Sequence, residues 1–191
     1  AAQGVLSYPD IAYYRFNEGA GNQIINWAIP GSGLYAPTFF NNATPGWNTT
    51  SPQYGASAID FAGPTWLRTG WPTNLSQSFT IEAWIRTNTV VPQSCTTGCT
   101  LFRLWGDYTL SLLRCYVGFY NPGANFLGGG FPAMQTSTAY VTDGNWHHVA
   151  LVHDRTAQTM TSYVDGNLDQ TAPYTFTPPA PGATSNFILG A

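Results

Sequence analysis

Glutamates and histidines are the residues here that could do acid–base or metal chemistry, and there are few of them. The chain has two glutamates, Glu18 and Glu82, in separate segments. Glycoside hydrolysis needs a pair of carboxyl groups across one bond, one as acid and the other as nucleophile or base. Glu82 stands alone in Thr80-Ile-Glu-Ala-Trp84, and no Glu-x-Asp-x-x-Glu run occurs. A structural role is therefore expected for it. His147, His148 and His153 are the only histidines. On a strand, His147 and His148 point to opposite faces and cannot chelate one ion together. His147 and His153 share a face but lie about 20 Å apart at strand rise. No catalytic residue is assigned.

The elements that carry these residues read as strands. In Phe79–Thr87, Phe79, Ile81, Ala83 and Ile85 alternate with Thr80, Glu82, Trp84 and Arg86. That period of two marks a half-buried strand. Further strands are expected near Ile11–Phe16, Ser57–Phe61, Thr100–Leu104, Tyr108–Leu112, Cys115–Tyr120, His147–Asp154, Thr159–Val164 and Phe187–Leu189. Asp143-Gly144 and Asp165-Gly166 read as turns, the second being a two-residue hairpin turn that needs positive φ. Gly31–Gln53, Asn121–Pro132 and Pro173–Thr184 read as loops. No segment of helical length carries a 3.6-residue apolar period. Many short strands separated by turns point to an all-β sandwich or barrel.

Composition sets further limits. Of the 191 residues 43% are apolar, enough for a full core. Only 8% are charged, against roughly 25% in ordinary globular proteins. All six cationic residues are arginine, and the net charge is −3. No basic stripe exists, so a nucleic-acid partner is not expected. No apolar run approaches the ~20 residues that span a bilayer. A weakly charged surface is also a poor barrier to self-association. The N-terminal Ala1-Ala2-Gln3 is similar to an end left by signal cleavage, which fits an extracellular or cell-surface protein.

The three cysteines are Cys95, Cys99 and Cys115. Cys95 and Cys99 bracket a short polar loop and are a candidate disulfide in an oxidising compartment. Cys115 would then be free or paired outside this chain. Their spacing does not suit zinc. Asn42, Asn48 and Asn74 head sequons and are candidate glycosylation sites. Among the seven tryptophans, Trp47, Trp66 and Trp71 lie in loop-like or edge segments and are the candidates for stacking on a glycan.

Five runs in a fixed order carry a family resemblance. They are Tyr14-Arg-Phe-Asn-Glu-Gly-Ala-Gly21, Ala58-Ile-Asp-Phe-Ala-Gly63, Ser78-Phe-Thr-Ile-Glu-Ala-Trp-Ile-Arg86, Gly144–Asp154 with Ser162–Leu168, and Phe187-Ile-Leu-Gly-Ala191. Together they resemble the laminin-G-like branch of the concanavalin A-like lectins and glucanases. The resemblance implies a two-sheet antiparallel jelly-roll β-sandwich, here as one domain over 1–191. It treats Trp146-His147-His148 as a structural element and places Trp84 and Trp146 in the core. Calcium is the cofactor it implies most often, with Asn17, Glu18 and Asp60 in its marker segments as candidate ligands, although no cofactor is required. Relatives continue past the late strand into a closing segment, whereas this chain stops at Ala191. Three explanations compete: the sequence is part of a longer protein, the domain closes differently, or a neighbouring subunit donates a strand.

The expectation from these readings is a non-catalytic extracellular module with a structural or adhesive role in a larger surface or fibrous assembly, its partners being copies of itself or neighbouring subunits. The alternative is a lectin-like domain that binds a glycan, with or without calcium. A glycoside hydrolase is the third reading and lacks its carboxylate pair.

Overall fold

The structure is a computed structural model, and it describes residues 12–28, 38–39, 45–61, 67–73, 78–86, 100–105, 114–120, 125–127, 141, 143–173 and 185–189. All regular elements among them are strands, and no helix there is long and apolar enough to cross a membrane. The chain divides into two compact units, Ala1–Gly70 and Trp71–Ala191.

In the first unit, β1 (Thr38–Phe39) pairs antiparallel with Leu67 and Arg68 at the start of β4 (Leu67–Thr73), and β2 (Gly46–Asn48) with β3 (Ala58–Asp60). The expected strand at Ile11–Phe16 is not regular over its described part. A single antiparallel bridge, Tyr14 to Asn26, takes its place. The buried Asn26 explains why: its Oδ1 accepts the Tyr13 and Ala28 main-chain N–H groups at 2.9 and 3.1 Å, diverting them from a ladder. Phe16 then turns into positive φ (53°), and its carbonyl accepts the buried Ser57 hydroxyl at 2.6 Å. Ile24, Pro45 and Leu67 are the unit's buried apolar side chains among the described residues.

The second unit holds the sheet that matters most here. Its order is β11 (Asn167–Pro173), β10 (Thr159–Val164), β9 (Trp146–Asp154) and β5 (Phe79–Arg86), all antiparallel. The alternation in β5 does what its sequence dictates: Thr80, Glu82, Trp84 and Arg86 are exposed, while Phe79, Ile81, Ala83 and Ile85 are partly or fully buried. Register carries the inner face across to Val149 and Leu151 on β9 and to Ser162 and Val164 on β10, all buried. Val164 pairs with Asn167, so Asp165-Gly166 is a two-residue turn, and both residues have positive φ (51° and 77°). That is the backbone a primed hairpin turn requires. A bulge at Ser162/Tyr163 lets the Asp169 carboxylate accept the hydroxyl of buried Ser162 at 3.0 Å.

A second group of antiparallel strands lies side by side in the order β12 (Ser185–Leu189), β6 (Thr100–Trp105), β7 (Arg114–Tyr120) and β8 (Asn125–Leu127).

Three segments read as loops contain strands instead. Gly31–Gln53 holds β1 and β2, Asn121–Pro132 holds β8, and the turn side of Pro173–Thr184 begins inside β11. β4 was also not expected. These strands are short or poor in alternating apolar residues, and backbone pairing with a neighbour sustains them. The expected strand Tyr108–Leu112 lies outside the described residues.

Candidate functional site

Two clusters with chemical character sit on the β5–β9–β10 sheet of the second unit, one at its end and the other on its open face. The first is built on His147. Its parity matches Val149 and Leu151, and its side chain is only 13% exposed. Nδ1 lies 2.8 Å from Asp165 Oδ2, and Nε2 lies 3.0 Å from Asp143 Oδ1. Both ring nitrogens therefore face carboxylates, an arrangement satisfied fully only by the doubly protonated ring. Burial pulls the imidazole pKa down, but the bonds to Asp165 and then Asp143 outweigh it and raise it above 6.5. Burial likewise pushes Asp165 up, yet the His147 ring and the His148 main-chain N–H bring it below 3.8. The Asp143 carboxyl is held far below its ordinary value by the His147 ring first, then by the Asn145 backbone and side-chain amides.

This cluster joins the two Asp-Gly turns read from the sequence. Asp143 Oδ1 also accepts the Asn145 N–H at 2.8 Å, and Asp165 Oδ1 accepts the His148 N–H at 2.9 Å. Each of these bonds is a fastening. A general acid for glycoside cleavage needs a raised carboxyl pKa, and here both carboxyls are lowered.

The second cluster lies on the outer face. Antiparallel register sets Trp84 opposite His148, Arg86 opposite Trp146 and Glu82 opposite Ala150, which in turn faces Tyr163. The Trp84 and His148 rings are 5.3 Å apart and tilted by 55°. His148 Nε2 lies 3.6 Å from Glu82 Oε2. The Arg86 guanidinium sits over the Trp146 ring, 5.0 Å from its centre. Trp84 is 39% exposed and the Glu82 side chain 67%. Ala150 is small and buried, and in register it stands between Glu82 and Tyr163. Beyond it, the Thr161 and Thr171 hydroxyls meet at 3.1 Å. The face thus offers an aromatic surface beside a carboxylate, an imidazole, a guanidinium and hydroxyls.

Placing Trp84 and Trp146 in the core is therefore corrected. Trp84 is exposed and Trp146 half-buried, because their parity is that of Glu82 and Arg86 rather than of Ile85. The alternation already contained this signal, and the marker position masked it. Among the tryptophans nominated for stacking, Trp47 is half-buried and donates its indole N–H to the Gly21 carbonyl at 2.9 Å. Trp71 lies on β4. Trp66, Asn42, Asn74, Cys95 and Cys99 fall outside the described residues.

Asn48 sits at the end of β2, and its Oδ1 accepts the Thr50 and Ser51 N–H groups at 3.1 and 3.2 Å. The calcium candidates have local work. Asn17 Oδ1 accepts the Ala56 N–H at 3.3 Å, and Glu18 Oε1 accepts the Ile25 N–H at 3.0 Å. Asp60 is exposed on β3, opposite Gly46. Among the described residues, no three His, Cys, Asp or Glu side chains gather as a metal site. Glu18 Oε2 is buried without a hydrogen-bond partner.

The first unit carries a smaller exposed group. Tyr13, Arg15, Ile25 and Trp27 flank the Tyr14–Asn26 bridge, and the Arg15 guanidinium lies 5.3 Å from the centre of the Trp27 ring.

The family model of the concanavalin A-like lectin/glucanase superfamily matches residues 61–191, more than half of the sequence, and the chain belongs to that family. Its fold is the all-β, antiparallel jelly roll of that superfamily. In all, 24 solved chains match. One is domain 4 of AbnA, an extracellular GH43 arabinanase from Geobacillus stearothermophilus, solved in complex with arabinotriose. It is 17% identical with a TM-score of 0.64, over 95% of this chain and 82% of that one. No curated protein matches the sequence.

Proposed function

We propose that the chain is a non-catalytic, extracellular glycan-binding module, and that the saccharide lies on the outer face of β5, β9 and β10. The observation that carries this reading is the exposed Trp84 ring set against His148 and Glu82 on the outer face of the sheet. A sugar presents an apolar C–H face and a rim of hydroxyls. The first packs on an aromatic ring, and the second bonds to carboxylate, imidazole and hydroxyl groups. A similar fold solved with arabinotriose is in keeping with this assignment.

The absence of catalysis is part of the proposal. Among the described residues, Asp143 and Asp165 both serve His147, and Glu82 Oε2 lies 3.6 Å from His148 Nε2. The structural or adhesive reading retains one supporting observation, the 8% charge content. Under the glycan-binding reading, that neutral, polar surface is simply compatible with a polysaccharide-rich setting.

A glycan array probed with the chain and with Trp84→Ala tests the proposal. Retention on a defined saccharide group, lost in the variant, is expected. A purified chain that assembles into regular polymers and ignores every glycan would support the structural role instead.

A further inference from the structure

We infer that this face selects soluble, neutral oligosaccharide segments that are bent or twisted, and rejects both flat crystalline polysaccharide and acidic glycans. The inference rests on the glycan-binding reading above and adds the class of ligand.

The shape argument comes from the rings. A flat polysaccharide ribbon needs aromatic rings that lie in one plane, so that successive sugars stack at the same height. Here the Trp84 and His148 planes are tilted by 55° with centres 5.3 Å apart. One flat sugar ring can lie on Trp84, but it then meets His148 at an angle. His148 thus acts as a side wall, reaching the sugar's rim through a ring nitrogen rather than extending the platform. The other outward aromatic ring of this corner does not restore a plane. The Arg86 guanidinium caps Trp146 at 5.0 Å, so that face of the indole is already occupied by a cation. Further along β9 the small, buried Ala150 lies between Glu82 and Tyr163 in register. Tilted walls fit a flexible or helical saccharide segment and leave gaps under a rigid sheet.

The charge argument comes from the groups around Trp84. Glu82 projects its carboxylate into solvent from the position two residues before Trp84, and its side chain is 67% exposed. Asp165 holds the His148 backbone from the far side. Among the described residues of this corner, Arg86 lies over Trp146, and the His147 ring is clasped by Asp143 and Asp165. The chain as a whole carries −3. A uronate or sulfate brought onto Trp84 would meet the Glu82 carboxylate, while the Arg86 guanidinium is held over Trp146. A neutral sugar meets a strong hydroxyl acceptor there.

Affinity electrophoresis and pull-down of the intact chain test this. The probes are a set of soluble neutral polysaccharides including arabinan and xylan, polygalacturonate as the acidic one, and microcrystalline cellulose as the flat one. Trp84→Ala and Trp84→Tyr accompany the wild type, with circular dichroism to show that each variant is folded. Retention by one or more soluble neutral polysaccharides is expected, unchanged between low and high salt. Trp84→Ala should weaken it about tenfold or more, and Trp84→Tyr should restore most of it, because the tyrosine keeps a ring. Pull-down on cellulose that needs Trp84 would overturn the shape argument. Salt-sensitive retention by polygalacturonate would overturn the charge argument. Either result would leave the face a glycan site. No retention by any probe would remove the reading on which the inference stands.

Discussion

Asp165 grips two consecutive residues of β9: its Oδ2 meets the His147 ring at 2.8 Å, and its Oδ1 accepts the His148 main-chain N–H at 2.9 Å. The return bond, Asp165 N–H to the His148 carbonyl, is 2.8 Å. The hairpin turn is thereby fastened to the residue whose ring stands beside Trp84. Stability and the geometry of the outer face share this one contact.

Its pH dependence has a definite sign. The His147 pKa is raised on folding, so its contribution is complete below about 6.5 and fades as pH rises through the folded-state value. The Asp143 and Asp165 pKa values are lowered, so their contributions are present above about 3.8 and fade as pH falls through the folded-state values. The melting temperature should therefore peak between about pH 4 and 6.5 and decline on both sides. His147→Gln should flatten the alkaline limb. A wild-type Tm that climbs from pH 6.5 to 9 would contradict this account.

Core packing predicts a second result. Leu151 and Val149 are buried beneath the sheet on the face opposite Trp84. Leu151→Ala should cost about 2–5 kcal/mol in urea unfolding. Leu168→Ala, on a residue 63% exposed, should change little, within about 0.5 kcal/mol. Equal losses at the two positions would mean that the faces are assigned wrongly.

Gly55 supplies a third. Its φ is +73°, and a Cβ there would collide with the Asn17 amide, whose Oδ1 accepts the Ala56 N–H. Gly55→Ala should destabilise the first unit by about 1–3 kcal/mol. Asn17→Ala combined with it should recover the steric part. Limited proteolysis of the two variants reads the difference as protection in the first unit.

What the sequence made legible follows from how local each cause is. The alternation of Phe79–Arg86 and the Asp165-Gly166 turn are properties of a few neighbouring residues, and both appear in the structure as read. β11 carries Asn167-Leu-Asp-Gln-Thr-Ala-Pro173, with little alternation to read, and exists because β10 offers it a ladder. The strand expected near Ile11–Phe16 gives way to a bridge because Asn26, far along the chain, captures the Tyr13 N–H. The His147 clasp joins residues 4 and 18 positions away, which spacing alone does not reveal. The exposure of Trp84 is local too: it shares the parity of Glu82 and Arg86, while its family-marker position points to the core.

The central claim is that a saccharide sits on Trp84. Each of the seven tryptophans carries one indole N–H, which a two-dimensional nitrogen–proton spectrum detects. Titrating a saccharide retained on the glycan array into labelled protein, with the Trp84 signal assigned by Trp84→Phe, tests the claim most directly. The Trp84 signal should move first and furthest, with the His148 backbone amide beside it. Shifts confined to Trp27 and its neighbours, with Trp84 still, would contradict the account and move the binding site to the first unit.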